Sequence, residues 1–462
     1  MSTASHPELD SLGRQCDSQN PRESGPTLDL SKYRDAIGRT DTIRVNGRVS
    51  QVIGVLVEAR GPACGVGEIC EIDCGRNKPP VTAEVVGFRE SRTLLMPFGS
   101  VSDIRPGCQV VATGSSLRVP VGRSLLGRVL DGLGRPLDGK GPITPEAEVT
   151  AAGEPPHPLA RQRIEQNLSL GVRAIDGLMS VGRGQRIGIF AGSGVGKSTL
   201  LGMMARNTAA DVNVIALIGE RGREVRDFLE KDLGEEGLAR SVVIVATSDQ
   251  VPVVRLRGAQ VATGIAEYFR GLGLDVLLMM DSVTRVAWAQ REIGLASGEP
   301  PTTRGYTPSV FAVLPQLLER SGTGERGSIT GLYTVLVEGD DMNEPVADTV
   351  RGILDGHIVL SRDLAARNHY PAIDVLSSVS RLMSDVTSKE HRACAGRMRD
   401  VLATHKSSED LINIGAYAHG SNPRIDFALS KIDDVNSFLR QAVDERSDFE
   451  SSSTAVQGVF EG

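Results

Sequence analysis

A glycine-rich loop between an apolar run and a helix-forming run has the residue types to bind phosphate groups. Residues 187–190 are apolar, three glycines follow at alternate positions, and a Lys-Ser-Thr triplet opens the next run. Strand, glycine loop and helix in this order make a P-loop, in which backbone amides, a helix N-terminus and a lysine surround phosphate oxygens. Ser198 would place its hydroxyl on Mg²⁺. The predicted nucleotide-binding residues are Gly192, Ser193, Gly194, Val195, Gly196, Lys197, Ser198 and Thr199.

The loop departs from the usual pattern at its first position, which is Ala191 rather than glycine. A flexible turn with a surface lysine is therefore the alternative interpretation. We favour a nucleotide site because an apolar strand and a helix flank the loop in the correct order. The loop alone does not indicate what the phosphate energy drives.

Two further apolar runs end in carboxylates that could complete a site for phosphoryl transfer. Residues 276–280 lead to Asp281, which could hold Mg²⁺ through water, with a helix N-cap as the alternative. Residues 214–218 lead to Glu220. A strand next to the P-loop strand would bring that carboxylate to the terminal phosphate, where it could orient the attacking water. A solvated turn is the alternative for Glu220.

These side chains need a sheet whose strands end at one edge. Beyond the P-loop, apolar runs alternate with helical stretches, which is typical of a parallel α/β core covered on both faces. The predicted strands are residues 212–218, 242–246, 276–280, 329–337 and 357–360. The predicted helices of this core include residues 256–272 and 346–354.

The regions that flank this core differ from it in composition. Residues 41–118 alternate short apolar and polar runs, which predicts a small closed β-barrel, and the Gly/Pro-rich residues 119–163 predict a connecting segment. Residues 1–28 are polar and predict disorder or folding on a partner. C-terminal helices are predicted at residues 390–402, 409–414 and 435–443. The predicted domains are residues 1–28, 29–118, 119–385 and 386–462.

Composition disfavours several classes of protein. A net charge of −7, and a barrel whose only aromatic residues are Phe88 and Phe98, argue against a nucleic-acid partner. No apolar run approaches the roughly 20 residues of a membrane span, and no signal sequence opens the chain, so a cytoplasmic location is expected. Four cysteines fall within residues 64–108 without the paired C-x2-C spacing of zinc sites, so buried thiols are expected.

Five longer motifs of the chain can be compared with known families: residues 191–198 (AGSGVGKS), 219–225 (GERGREV), 281–285 (DSVTR), 304–311 (RGYTPSVF) and 335–357 (VLVEGDDMNEPVADTVRGILDGH). These motifs resemble those of the hexameric ATPases related to the subunits of rotary ATP synthase. The motif at residues 335–357 is similar to that of the protein-export ATPases of type III secretion, and its NEP and RGI sequences are similar to the flagellar branch. The resemblance runs from about residue 41 to residue 445.

The resemblance implies a fold and a role for particular residues. The implied fold is α/β, a P-loop (RecA-like) parallel-sheet core with an N-terminal small β-barrel and a C-terminal helical domain. Tyr370 falls where the family packs an aromatic ring on adenine, and Arg381 matches an arginine that reaches the neighbouring subunit's site. Taken alone, Tyr370 would be a core residue and Arg381 a surface arginine. The implied catalytic residues are Lys197, Glu220, Arg221, Asp281 and Arg381, and the metal-holding residues are Ser198 and Asp281.

The resemblance also implies an activity and partners. A Mg²⁺-dependent ATPase of this family forms a homohexamer, helps to release export substrates from chaperones, and feeds them to a membrane export gate. A regulatory, stator-like dimer would hold residues 1–28, and a central coiled-coil stalk would contact the loop near residues 293–305. The protein would associate peripherally with the export apparatus at the inner face of the cell membrane.

Three alternative functions remain at this point. An injectisome type III secretion ATPase differs from the flagellar interpretation only in motif wording. The catalytic subunit of a rotary ATP synthase is disfavoured because residues 400–417 lack the acidic lever of that subunit. A ring-shaped nucleic-acid translocase is disfavoured by the aromatic-poor barrel and the negative net charge.

Overall fold

The computed structural model describes residues 46–75, 78–337, 339 and 341–460, together with residues 30, 31, 33, 34 and 37. The chain divides into two compact units, residues 1–44 and residues 45–462, and the features described below belong to the second. The predicted partner-binding segment, residues 1–28, lies outside the described residues. Within the described part of the chain, no helix has both the length and the hydrophobicity required to span a membrane.

Six antiparallel strands close into the predicted N-terminal barrel. They are β1 (Asn46–Ile53), β2 (Leu56–Arg60), β3 (Glu68–Asp73), β4 (Val81–Arg89), β5 (Arg92–Pro97) and β6 (Gln109–Ser116). Their order around the barrel is β1-β2-β5-β4-β3-β6, and β6 closes on β1. Alternate side chains point inward, where Val57, Val85 and Leu95 pack with Cys70 and Cys74. Burial raises the pKa of the Cys70 thiol to about 12, so it is a core residue.

A mixed nine-stranded sheet forms the core that follows the barrel. The strands beyond the barrel are β7 (Arg118–Val121), β8 (Arg128–Asp131), β9 (Ala147–Thr150), β10 (Arg186–Ala191), β11 (Val212–Ile218), β12 (Ser241–Ala246), β13 (Asp275–Asp281), β14 (Gly322–Thr323), β15 (Ser328–Leu336), β16 (Gly356–Leu360) and β17 (Ile373–Ser380). The sheet order is β17-β16-β10-β15-β13-β11-β12-β8, with β14 paired to β15, while β7 pairs with β9. All five predicted apolar runs are strands of this sheet, and the predicted α/β class is confirmed.

Three features of the sheet differ from the expectation. Residues 119–163 are not only a connection, because they supply β8, whose charged Arg128 is neutralised by Asp138 at 2.7 Å. β17 runs antiparallel to β16. β11 is not next to β10, since β15 and β13 lie between them. A strand as short as β8, with a charged residue in it, is hard to predict from local sequence. The order of strands in a sheet is equally hard to predict from local sequence.

Helices cover both faces of the sheet and form the C-terminal region. Two predicted helices, 390–402 and 409–414, are one continuous helix, because no Gly or Pro interrupts the residues between them. The helix expected at 435–443 instead ends at Leu439. The α-helices are Arg173–Leu178, Lys197–Asn207, Gly222–Asp227, Gly234–Ala239, Pro252–Gly271, Val283–Ser297, Pro308–Leu318, Pro345–Ile353, Arg362–Ala366, Met383–Val386, Lys389–Asn413, Pro423–Leu439 and Phe449–Gly458.

Candidate active site

The P-loop runs from the end of β10 to the start of the helix Lys197–Asn207. β10 is an apolar strand buried between β15 and β16, so the loop emerges from the centre of the sheet. Gly194 and Gly196 have φ angles of 79° and 86°, in the left-handed region that residues with a side chain disfavour. A Cβ on Gly194 would meet no heavy atom within 4 Å, so the loop faces open space there. The N-terminal amides of the helix follow Gly196 directly and can bind an anion.

Gly192 allows an arginine to lie against the first turn of this loop. A Cβ on Gly192 would lie 2.6 Å from Nη2 and 2.7 Å from Nε of Arg362. Arg362 opens the helix Arg362–Ala366 directly after β16, which is the neighbour of β10 in the sheet. The guanidinium therefore rests where the glycine lacks a side chain, and it adds positive charge beside the P-loop.

Replacing Gly192 with alanine is expected to weaken ATP binding and to leave the fold intact. The new methyl group must displace the guanidinium of Arg362, which lies at the end of a flexible side chain, so the loop is disturbed more than the core. KM for ATP should rise between about 5- and 50-fold, because small displacements at a phosphate site are costly. Steady-state kinetics and thermal unfolding measure the two effects. The matched control is Gly271→Ala, at a position where a Cβ meets nothing within 4 Å. Equal KM values for the two variants would contradict the prediction.

Three charged side chains meet beside the P-loop. Lys197 Nζ lies 2.5 Å from Asp281 Oδ1 and 3.6 Å from Glu220 Oε1. The side chains of Lys197 and Glu220 are 13% and 12% exposed, and that of Asp281 is 6% exposed. The Thr334 hydroxyl, on β15, donates a hydrogen bond of 2.7 Å to the same Asp281 oxygen. The cluster forms because β10, β11, β13 and β15 all end at one edge of the sheet.

The close packing of the cluster shifts the pKa values of Glu220 and Lys197. Burial, followed by repulsion from Asp281, raises the pKa of Glu220 to about 7, against the opposing effect of Lys197. Burial favours the neutral form of Lys197, but the two carboxylates outweigh it and the pKa of the ammonium is raised overall. Lys197 is therefore charged at neutral pH. Glu220 can exchange a proton near pH 7, which suits a group that accepts a proton from water.

The carboxylate of Asp281 does not cap the helix that follows it. Ser282 is the N-cap of the helix Val283–Ser297, and its hydroxyl accepts from the Arg285 amide at 3.3 Å. Thr284 Oγ1 accepts from the Leu336 amide at 2.9 Å and fixes this helix to the end of β15. The N-cap alternative for Asp281 is therefore wrong, and its carboxylate points to Lys197.

Arg381 lies where β16 begins, at the opposite end of the strands from its own P-loop. It follows Ser380 of β17, which pairs with Gly356 at the start of β16. The last residue of β16, Leu360, pairs with Ala191 where the P-loop begins. The four-residue step from Gly356 to Leu360 spans roughly 13 Å of extended strand. The structure therefore does not bring Arg381 to the cluster of Lys197, Glu220 and Asp281.

Of the two remaining predicted residues, one lies at the P-loop and the other at the surface. Tyr370 is 42% exposed, and a Cβ on Gly196 would lie 3.5 Å from Cε1 of its ring. Tyr370 is therefore not a core residue, because its ring borders the loop. The Arg221 side chain is 76% exposed and pairs with Glu224 at 3.2 Å. It does not join the charged cluster.

Sequence reasoning gave no role to Thr334, Arg285 or Arg362, which contact the site. Thr334 is one polar residue within a largely apolar strand, and nothing in the sequence around it indicated a role in the site. The sequence did contain a signal for Arg285, because this arginine lies four residues after Asp281, in the first turn of the helix that follows β13. Its guanidinium lies 4.9 Å from the Trp288 ring centroid, and its charge acts to lower the pKa of Glu220. Its buried Nε has no hydrogen-bond partner among the described residues.

Comparisons with known proteins agree with the fold and the family predicted from the sequence. The nucleotide-binding domain of the ATP synthase alpha/beta family matches residues 171–380, and the beta-barrel domain of that family matches residues 49–114. The T3SS EscN ATPase C-terminal domain matches residues 387–457. The flagellum-specific ATP synthase of Bacillus subtilis (strain 168) is 57% identical over 428 residues, which cover 92% of this chain and 97% of that relative. The chain belongs to the family of flagellar and type III secretion ATPases.

Other members of the family extend this agreement. The type 3 secretion system ATPase of Xanthomonas euvesicatoria is 53% identical over 438 residues, covering 94% of this chain and 98% of its own. The solved structure of the assembled ATPase EscN from enteropathogenic E. coli is 46% identical with a TM-score of 0.85, covering 89% and 99% of the two chains. The predicted family and ATPase activity are confirmed, the flagellar interpretation fits, and the injectisome alternative is not better supported. The C-terminal match also disfavours a rotary synthase subunit.

Proposed function

We propose that the protein hydrolyses ATP at the P-loop and that this hydrolysis energises the export of flagellar proteins. The observation that carries the proposal is the meeting of Lys197, Glu220 and Asp281 at one edge of the sheet, with a raised pKa for Glu220. A bound triphosphate would lie between these side chains and the amides of the loop. Hydrolysis of ATP needs a fixed phosphate, a positioned water and positive charge. At this edge the loop amides could fix the phosphate, Glu220 could position the water, and Lys197 supplies positive charge.

Each side chain of the cluster has a task in this proposal. Lys197 and the loop amides bind the phosphate oxygens, and the Tyr370 ring packs on the adenine. Glu220 orients the attacking water and accepts its proton. Ser198 and Asp281 would hold Mg²⁺, which would neutralise charge on the phosphate oxygens.

The donors at this edge suit Mg²⁺ as part of the substrate. Ser198 is exposed on the first turn of the P-loop helix, and Asp281 supplies a carboxylate nearby. In the part of the chain that the structure describes, no group of three or more His, Cys, Asp or Glu side chains could form a metal site. Mg²⁺ commonly needs only one or two protein ligands and takes the rest from phosphate and water.

The position of Arg381 supports a homohexamer in which neighbouring subunits share each site. The side chain is exposed at the edge of the sheet opposite its own P-loop. EscN is solved as an assembled ATPase, and this chain matches it over 89% of its length. A ring of copies would bring Arg381 of one subunit to the nucleotide of the next. Arg221, exposed beside Glu220, would face the same boundary.

A central stalk is the second partner that we propose. EscN is also solved in complex with its central stalk EscO, in a structure 45% identical to this chain with a TM-score of 0.83. The loop at residues 293–305 would contact such a stalk. This stretch begins in the last turns of the helix Val283–Ser297 and contains the left-handed Gly298, where that helix ends. It also includes Arg304, which pairs with Asp341 at 2.8 Å and is half exposed. A coiled coil with acidic side chains would compete with Asp341 for this guanidinium.

The remaining partners in the proposal come from the family alone. A regulatory, stator-like dimer would hold residues 1–28. Export chaperones and their substrates would bind the assembled ring, and the membrane export gate would receive the released substrates. The protein would thus be cytoplasmic and peripherally associated with the export apparatus at the inner face of the cell membrane.

The purified chain is expected to hydrolyse ATP only when Mg²⁺ is present. Phosphate release should stop when EDTA removes the metal and should return when excess Mg²⁺ is added, because the metal is needed to neutralise the phosphate charge. The Lys197→Ala variant should stay inactive under both conditions. Hydrolysis that continues in EDTA would contradict the proposed site.

A deletion strain separates the flagellar function from the injectisome alternative. If the protein serves flagellar export, deletion should abolish swimming and the appearance of flagellar subunits in the medium. Expression of the intact chain should restore both, and Lys197→Ala should restore neither. Normal swimming with loss of another secreted set of proteins would favour the injectisome function.

A further inference from the structure

A buried glutamine connects the C-terminal helices to Tyr370. Gln441 is 5% exposed and lies two residues beyond the helix Pro423–Leu439. Its backbone N–H donates to the carbonyl of Tyr370 at 3.0 Å. The Tyr370 ring in turn lies beside Gly196. Gln441 is therefore connected to the P-loop through its backbone hydrogen bond to Tyr370 and through the Tyr370 ring.

The side-chain amide of Gln441 is bonded on both of its polar atoms. Its Oε1 accepts from the Arg173 amide at 2.8 Å. Its Nε2 donates to the carbonyl of Gly171 at 2.9 Å and to that of Glu445 at 3.0 Å. A primary amide can accept on one atom and donate twice on the other, and a carboxylate cannot. The site therefore selects glutamine over glutamate.

Residues 440–445, which we call the junction segment, are held from two further directions. The Arg173 guanidinium donates to the carbonyl of Arg440 and pairs with the carboxylate of Glu445. Arg206, in the last turn of the P-loop helix, donates to the carbonyl of Val443 at 2.8 Å. The junction segment thus contacts the P-loop helix, Tyr370 and the first helix of the nucleotide-binding domain.

We propose that Gln441 is a positioning residue for the base of ATP, because it fixes the junction segment and thereby the Tyr370 ring. This inference rests on the proposed role of Tyr370 in holding the base. Among the reacting groups, Asp281 ends β13 and Glu220 follows β11, while Lys197 begins the P-loop helix at the end opposite Arg206, which bonds the junction segment. A movement of the C-terminal helices would therefore change the affinity for the base and leave the chemical step largely unaffected.

Replacing Gln441 with alanine is expected to raise KM for ATP about tenfold and to change kcat less than about twofold, since the base is bound similarly before and during reaction. Gln441→Glu should raise KM further, because its carboxylate would face two carbonyl oxygens. A role in stability alone gives a different result. A partly unfolded sample has fewer active molecules, so kcat falls while KM stays constant. Thermal unfolding of each variant shows how much protein is folded.

A double-mutant cycle with Tyr370→Ala tests whether Gln441 acts through that residue. If it does, Tyr370→Ala raises KM, and adding Gln441→Ala to it raises KM no further. The control is Gln457→Ala, a half-buried glutamine in the last helix, which should leave KM unchanged. An unchanged KM in Tyr370→Ala would contradict the proposed base site and the inference together. A raised KM in Tyr370→Ala, with an additive or absent effect of Gln441→Ala, would overturn the inference alone.

Discussion

Arg381→Ala is expected to lower steady-state ATP hydrolysis by about 10³-fold or more and to preserve nucleotide binding. The side chain lies at the edge of the sheet opposite its own P-loop, so we expect it to act on the nucleotide of a neighbouring subunit. Its charge would stabilise the negative oxygens of the transferred phosphate only in the transition state. Phosphate release measures turnover, and calorimetry with ADP measures binding.

Mixing two inactive variants tests whether the arginine acts between subunits. Arg381→Ala keeps its own P-loop, and Lys197→Ala keeps Arg381. In rings assembled at random from equal amounts, about a quarter of the sites would combine an intact lysine with an intact neighbouring arginine. Activity should therefore reappear on mixing. Two variants that stay inactive together would indicate that Arg381 acts within its own subunit.

The matched control for this prediction is Arg367→Ala. Arg367 is also exposed, lies nearby in the chain, and pairs with Glu409 at 2.9 Å, with its side chain 65% exposed. A surface ion pair of this kind contributes about 0–1 kcal/mol to stability, so turnover should be unchanged. If both variants lose turnover equally, a general effect of removing surface arginines explains the result and a special role for Arg381 is excluded.

Much of the fold could be predicted because its signals are local. The apolar runs that became β11 and β13 are buried on both faces, and such strands are almost entirely apolar. The P-loop is equally local, since its glycines, lysine and flanking elements are adjacent in sequence. The barrel was visible from the alternation of apolar and polar residues across β1–β6.

What could not be predicted depends on contacts between distant residues. β11 was expected beside the P-loop strand, and the structure places two strands between them, yet Lys197 still reaches Glu220 at 3.6 Å. Strand order is set by packing of the whole sheet, which no short window of sequence contains. The contact of Thr334 with Asp281 and the location of Arg381 depend on the same pairing.

Glu220→Gln is expected to lower ATP hydrolysis by about 10²–10⁴-fold and to leave ATP binding intact or slightly stronger. The amide has the size of the carboxylate but cannot accept the proton of the attacking water. It also removes a charge that repels both Asp281 and the phosphates. Rapid-quench measurement of phosphate formation, with calorimetry of ATP binding, separates the chemical step from binding. The control is Glu230→Gln, because Glu230 is 57% exposed and pairs only with Arg226 among the described residues.

The pH dependence of hydrolysis gives this prediction a second readout. Glu220 has a raised pKa of about 7, and only its charged form accepts a proton, so activity is present above that pKa and is lost as the pH falls through it. In the wild type kcat/KM should fall about tenfold for each unit below pH 7, since this ratio reports the free enzyme. In Glu220→Gln the residual activity should lack this acid limb. An acid limb that persists unchanged would assign the titration to another group.

The same variant tests whether hydrolysis itself is needed for export. If ATP binding and ring assembly are preserved in Glu220→Gln, any loss of swimming in a strain that carries it reflects the missing turnover. We expect that strain to secrete few flagellar subunits and to swim poorly, while the Glu230→Gln strain swims normally. The amount of each variant in the cell must match the wild type, as measured by immunoblot. Normal filaments in the Glu220→Gln strain would contradict an essential role of ATP hydrolysis in export. The turnover of the purified variant tests separately whether Glu220 is needed for hydrolysis.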